Sequence, residues 1–132
     1  MAKKPKGIIF TGGPSIAYEA GAPTVDPALF EQGIHILGIC YGAQLSAHLL
    51  GGQLEAAVQR EYGKKDLEVA NGHPLFMGVN PTTTCWMSHT YQIEQLPDSN
   101  YKIIAKTNHC PVAAFANDTK QIYGMQFHPE VV

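Results

Sequence analysis

The sequence predicts a three-layer α/β domain, and three features carry that expectation. Short apolar runs alternate with helix-forming stretches as far as Gly52, β-rich segments separated by turn clusters fill the remainder, and no internal repeat or linker interrupts them. At 132 residues, 45% hydrophobic and 15% charged, the chain has the size and composition of one globular domain.

Residues 7–11, Gly-Ile-Ile-Phe-Thr, are an apolar run stopped by Gly12-Gly13-Pro14, as in a buried strand that ends in a tight turn. Asp26-Pro27 then supplies an N-cap and a first-turn proline. Leu29 and Phe30 offer an apolar face and Gly33 stands where a C-terminal cap belongs, which predicts a helix of about two turns. Residues 34–39 are nearly continuously apolar and read as a strand covered on both faces. Ala43, Leu45, Ala47, Leu49 and Leu50 follow among good helix formers, and Gly51-Gly52 ends them. Beyond that point, 82–87, 91–95, 101–107, 112–116 and 121–127 are rich in β-formers. Turn clusters at Pro97-Asp98-Ser99-Asn100 and Asn117-Asp118 favour antiparallel or mixed pairing among them.

Composition narrows the function classes. Nine Lys plus Arg stand against eleven Asp plus Glu, a formal charge of −2 without a basic stripe, so nucleic acid is not an expected partner. No apolar run reaches the ~18 residues of a membrane span, and a membrane is not an expected partner either. Cys40, Cys85 and Cys110 are widely spaced and lack paired zinc-site spacing; they read as reduced thiols of a cytoplasmic protein.

Gly38-Ile39-Cys40-Tyr41-Gly42 places a cysteine between an apolar strand and a helix, with a glycine two residues away on each side. This is the cysteine form of a nucleophile elbow, a turn so sharp that flanking side chains would collide. The helix N-terminus there favours a thiolate and offers N–H groups to an oxyanion. A buried structural cysteine is the alternative reading. Phe127-His128-Pro129-Glu130 follows another strand, and the alternating His-x-Glu lets a carboxylate orient an imidazole that acts as general base, although the same residues also suit a solvated turn. His35, His48, His73, His89 and His109 show no metal-ligand spacing, so no metal site is expected. Cys85, beside Trp86, reads as core, and nothing near Cys110-Pro111 activates a thiol.

With these motifs the chain resembles class I glutamine amidotransferase domains, over residues 6–132. The matching residues include Gly12-Gly13-Pro14, Gly38-Ile39-Cys40-Tyr41-Gly42-Ala43-Gln44, Leu50-Gly51-Gly52, Cys110-Pro111-Val112-Ala113-Ala114 and Gln126-Phe127-His128-Pro129-Glu130-Val131. Arg60-Glu61-Tyr62-Gly63 and Trp86-Met87-Ser88-His89 resemble the branch that serves GMP synthesis rather than the anthranilate or carbamoyl phosphate branches.

The resemblance implies a flavodoxin-like fold with a mixed central sheet. It also implies that Cys40 attacks the side-chain amide of L-glutamine while His128, oriented by Glu130, moves protons. Backbone N–H groups of Gly13 and Tyr41 match the oxyanion hole; Gln44, Ser88 and His89, with the following Thr90 and Tyr91, match the glutamine-binding positions. It implies no cofactor in this chain. Ammonia would pass to an ATP-dependent GMP synthetase domain or subunit, where ATP and magnesium belong; the Ser-Gly-Gly-x-Asp-Ser phosphate loop of such a synthetase does not occur in this sequence. Thr90-Tyr91 departs from the usual Gly-Asp. The family's domains also begin with a strand that has no counterpart here, so residues 1–132 are read as one partial domain, and a partner-binding fragment without activity is a rival reading. The strand at 7–11 is expected to form an open sheet edge prone to self-association.

Overall fold

The computed structural model describes residues 6–12, 21, 24–70 and 73–129, with the side chains of 58–61 left aside. Among the described residues seven strands form one mixed sheet in the order β1-β2-β7-β6-β5-β3-β4. They are β1 (Gly7–Phe10), β2 (His35–Ile39), β3 (Gln53–Val69), β4 (Thr82–Gln95), β5 (Lys102–Lys106), β6 (Ala114–Asn117) and β7 (Ile122–Met125), with the helix α1 (Tyr41–Leu49) between β2 and β3. The strands β1, β2 and β7 are parallel, and the rest of the sheet is antiparallel.

The parallel part follows the apolar runs. β2 lies between β1 and β7, as its continuous hydrophobicity requires. α1 covers one face, where Ala43 and Ala47 pack with Phe30, Ile36, Phe115 and Ile122. In β6 the alternation divides two cores: Phe115 points to that face, while Ala114 and Ala116 join Met87, Ile104, Met125 and Phe127 on the other.

Three expectations change. Residues Pro27–Glu31 form a 3₁₀ turn rather than an α-helix; the Asp26 side chain caps it by accepting from the Ala28 N–H at 3.0 Å. The segment between the caps is too short for α-helical bonds to outweigh nucleation. Residues 82–87 and 91–95 are parts of one strand, β4, and its partner β3 was not foreseen at all. The layering also differs from three helix–sheet–helix layers. Among the described residues α1 is the one α-helix, and the second core is closed by Leu67 and Cys85 of the β3–β4 hairpin and by Phe76 of a 3₁₀ turn, Pro74–Phe76. The β3–β4 pair and the Pro74–Phe76 turn thus bury the apolar residues of that face.

In the β3–β4 ladder, β3 advances from Ala56 to Glu61 while β4 advances only from Tyr91 to His89, so the strand bulges beside Thr90. At the opposite end of the sheet β1 pairs with β2 alone among the described residues, and Ile9 is 61% exposed.

Candidate active site

Parallel register brings three chain segments to one end of the sheet. Ile39 pairs with Met125, so the next residues, Cys40 and Gln126, leave adjacent strands side by side. Phe10 pairs with Gly38, which brings Gly12 level with Cys40. Sites form at such carboxyl ends because the turns leaving parallel strands converge there.

Cys40 sits at φ 54° and ψ −108°, a left-handed conformation for a residue with a side chain. Such a residue costs about 1–3 kcal/mol and persists only when its surroundings hold it. Its N–H donates to the Met125 carbonyl at 2.7 Å, and its own carbonyl accepts from Ala43 and Gln44, each at 3.1 Å. The flanking glycines give the turn its room. A Cβ on Gly38 would lie 2.6 Å from the Ala43 nitrogen, and one on Gly42 would overlap the Phe10 carbonyl. The expected elbow is thus built from backbone approach on both sides.

The His128 ring and Cys40 both approach Gly12. A Cβ placed on Gly12 would lie 3.6 Å from the Cys40 Cβ, 3.0 Å from His128 Cε1 and 3.8 Å from His128 Nε2. Cys40 and the His128 imidazole therefore both lie within 4 Å of one spot. The His128 N–H donates to the Trp86 carbonyl at 2.9 Å, which ties the segment after β7 to β4. Tyr41 opens α1 and is buried; burial pushes its phenol up from the ordinary value, so the ring is neutral at physiological pH.

A buried amide chain runs behind the thiol. Gln44 Nε2 donates to the Tyr91 carbonyl at 2.8 Å and to Gln126 Oε1 at 2.9 Å, and Gln126 Nε2 donates to Cys40 Sγ at 3.6 Å. Sγ also lies 3.6 Å from the Ser88 carbonyl. His89 is buried, and its Nδ1 is 2.9 Å from the Tyr91 carbonyl, which can only accept, so Nδ1–H is the donor in this bond. The structure thus brings Cys40, Tyr41, Gln44, Ser88, His89, Tyr91 and His128 together, with Thr90 on the same stretch of β4. Gly13 and Glu130 lie outside the described residues. Gln126 was not assigned a role from sequence, although a buried polar residue following the apolar strand β7 marked it. Cys85 and Cys110 are buried in the second core, as expected of structural cysteines. Among the described residues no cluster of His, Cys, Asp or Glu is arranged to hold a metal ion.

A known family model, described as glutamine amidotransferase class-I, matches residues 1–132. The chain belongs to the class I glutamine amidotransferase family. It is 55% identical over 132 residues to a glutamine-hydrolysing GMP synthase of Caldicellulosiruptor saccharolyticus, covering all of this chain and 26% of that protein. With a second such enzyme, from Clostridium novyi, it shares 53% over 129 residues, 98% of this chain and 25% of the relative. The chain thus spans about a quarter of the length of these curated relatives. Among solved structures, a Thermoplasma acidophilum protein described as a GMP synthase subunit superposes with a TM-score of 0.80 at 31% identity, over 98% of this chain and 66% of that one. A glutamine amidotransferase from Thermotoga maritima gives 0.80 at 22% identity, over 93% and 55%, and supports the fold alone. The amidotransferase fold and the glutaminase homology expected from the motifs therefore hold, while the helical layering differs as described above.

Proposed function

We propose that this amidotransferase domain hydrolyses L-glutamine and supplies the ammonia for amination of XMP to GMP. The observation that carries the reading is the strained Cys40 elbow with the His128 imidazole against the same glycine. Cys40 Sγ adds to the side-chain carbonyl carbon of glutamine, and the resulting oxyanion takes hydrogen bonds from the backbone N–H groups of Tyr41 and Gly13. His128, oriented by Glu130, carries the thiol proton to the leaving nitrogen, so ammonia departs and a glutamyl thioester remains. Water, deprotonated by His128, then releases glutamate and restores the thiol.

Gln44 has both amide protons engaged with Tyr91 and Gln126, which leaves its Oε1 to accept from the substrate α-ammonium. The Ser88–Tyr91 stretch stands at the same end of the sheet, with its Ser88 and Tyr91 carbonyls at Cys40 and Gln44, and with His89 and Thr90 it forms the proposed amino-acid clamp. None of these steps calls for a metal or organic cofactor in this chain. ATP and magnesium act in a synthetase domain or subunit, which takes up the ammonia. The homology to GMP synthases and the Arg60-Glu61-Tyr62-Gly63 motif favour this reading over the sibling branches.

The test is glutamate and ammonia release by the purified chain, with and without a GMP synthetase partner. Turnover that disappears in Cys40→Ala, and that rises when the partner sets the Ser88–Tyr91 stretch, is expected. Rapid labelling of Cys110 by a glutamine-mimicking electrophile, at the rate of Cys40, would refute the assignment.

A further inference from the structure

Gln126 is 1% exposed, and its side chain is held at both ends. The direction of the amide chain follows from chemistry rather than from any choice of orientation. The Tyr91 carbonyl can only accept, so the Gln44 group facing it at 2.8 Å is the NH₂. That same nitrogen meets Gln126 at 2.9 Å, so Gln126 presents its oxygen there and must turn its NH₂ toward Cys40 Sγ. Parallel register supplies the placement, since Cys40 and Gln126 directly follow the paired residues Ile39 and Met125.

We propose that Gln126, oriented by Gln44, is a positioning residue for the nucleophile: its NH₂ fixes Sγ and stabilises the thiolate against the Ser88 carbonyl. The inference rests on Cys40 being the nucleophile, and it adds a group that the family triad does not contain. The two contacts at Sγ act in opposite senses. A thiol donates to the Ser88 carbonyl, whereas a thiolate is repelled by that oxygen and attracted by the Gln126 N–H, so ionisation exchanges one partner for the other. The titratable groups on the elements around this end of the sheet are Tyr41 on α1, His89 and Tyr91 on β4, and His128 after β7. Tyr41 is neutral, His89 Nδ1 bonds the Tyr91 carbonyl, and the His128 ring shares with Cys40 the approach to Gly12.

The test is alkylation of Cys40 by iodoacetamide in the whole chain, followed by peptide mass mapping across about pH 5 to 10. Gln126→Met keeps the side-chain length and removes the donor. It is expected to raise the midpoint by about one unit and to slow alkylation near pH 7 about tenfold. Gln44→Met, which leaves Gln126 unaligned, moves the midpoint the same way by less. The buried Cys85 and Cys110 report folding, because they react only when the core opens. An unchanged Cys40 midpoint with those two still protected would overturn the proposal. If Gln126→Met unfolds, the unmodified protein decides: the ¹⁵N resonance of the Gln126 side-chain amide must titrate with the Cys40 midpoint, and one that stays still overturns the proposal. A wild-type Cys40 no faster than Cys85 or Cys110 would instead refute the nucleophile reading, and the inference with it.

Discussion

Replacing Gly12 by alanine places one methyl group within 4 Å of both Cys40 and the His128 ring, the proposed nucleophile and base. Gly12 does not adopt a left-handed φ, so alanine introduces no backbone strain. The new Cβ would meet the Cys40 Cβ at 3.6 Å, an ordinary contact, but His128 Cε1 at 3.0 Å, where ordinary contact begins at 3.4 Å. The half-buried His128 ring can yield, and it must retreat by a few tenths of an ångström. Misplacement of a reacting group by about 1 Å costs on the order of a hundredfold in rate, so a loss of about ten- to a hundredfold in glutaminase kcat/KM is expected, or about 1.4–2.7 kcal/mol of transition-state stabilisation. Stability should change by less than about 1 kcal/mol, because ring displacement is opposed by the lower unfolded-state entropy of alanine. Glutamate release with a synthetase partner, read beside the thermal midpoint, separates the two effects. Unimpaired turnover, or a loss of stability larger than the loss of transition-state stabilisation, would refute the geometry.

Gly42→Ala presents the contrasting case, since its Cβ would overlap the backbone of Phe10, which cannot swing away. It should lower stability by about 2 kcal/mol or more by urea unfolding, and an unchanged midpoint would contradict the close approach of β1 to the elbow. Within the proposed mechanism, His128→Ala should abolish turnover while Glu130→Ala leaves measurable activity, because the first group moves protons and the second orients it; equal, small losses in steady-state assays would reject that division. Hydrogen bonds from Lys102 and from His73 hold the Asp118 carboxyl below the ordinary carboxylate range. A depressed folded value means that its contribution is present above about pH 4 and is lost as pH falls through that value. Asp118→Asn should therefore flatten the acid limb of stability by at most about 1 kcal/mol, since the carboxylate is 48% exposed and screened; identical pH slopes in urea titrations would count against it. Finally, β1 pairs on one side alone among the described residues and Ile9 is exposed, so the isolated chain should show concentration-dependent self-association in sedimentation, weakened by Ile9→Lys; a monomer at every concentration would show that this edge is covered.

What the sequence alone determined is local. Gly38 and Gly42 two residues either side of Cys40 announced the elbow, because its requirement for bare backbone is met within five consecutive residues. The apolar runs of β1 and β2 and the Gly51-Gly52 stop after α1 were legible for the same reason. Tertiary structure decided the rest. β3 carries Glu55, Lys64, Lys65, Asp66 and Glu68 and shows no alternation to read; it becomes a strand by pairing twelve of its seventeen residues with β4, whose carbonyls at Trp86 and Ser88 then reach the site. That pairing also fused two expected strands into one and closed the second core where a helix layer was expected. Gln126 and Gln44 are 82 residues apart, and Gln126 and Cys40 are 86 apart, so no spacing in the chain could disclose their bonds. Side-chain hydrogen bonds of that range depend on the register of β2 against β7, and register is set by packing of the whole sheet.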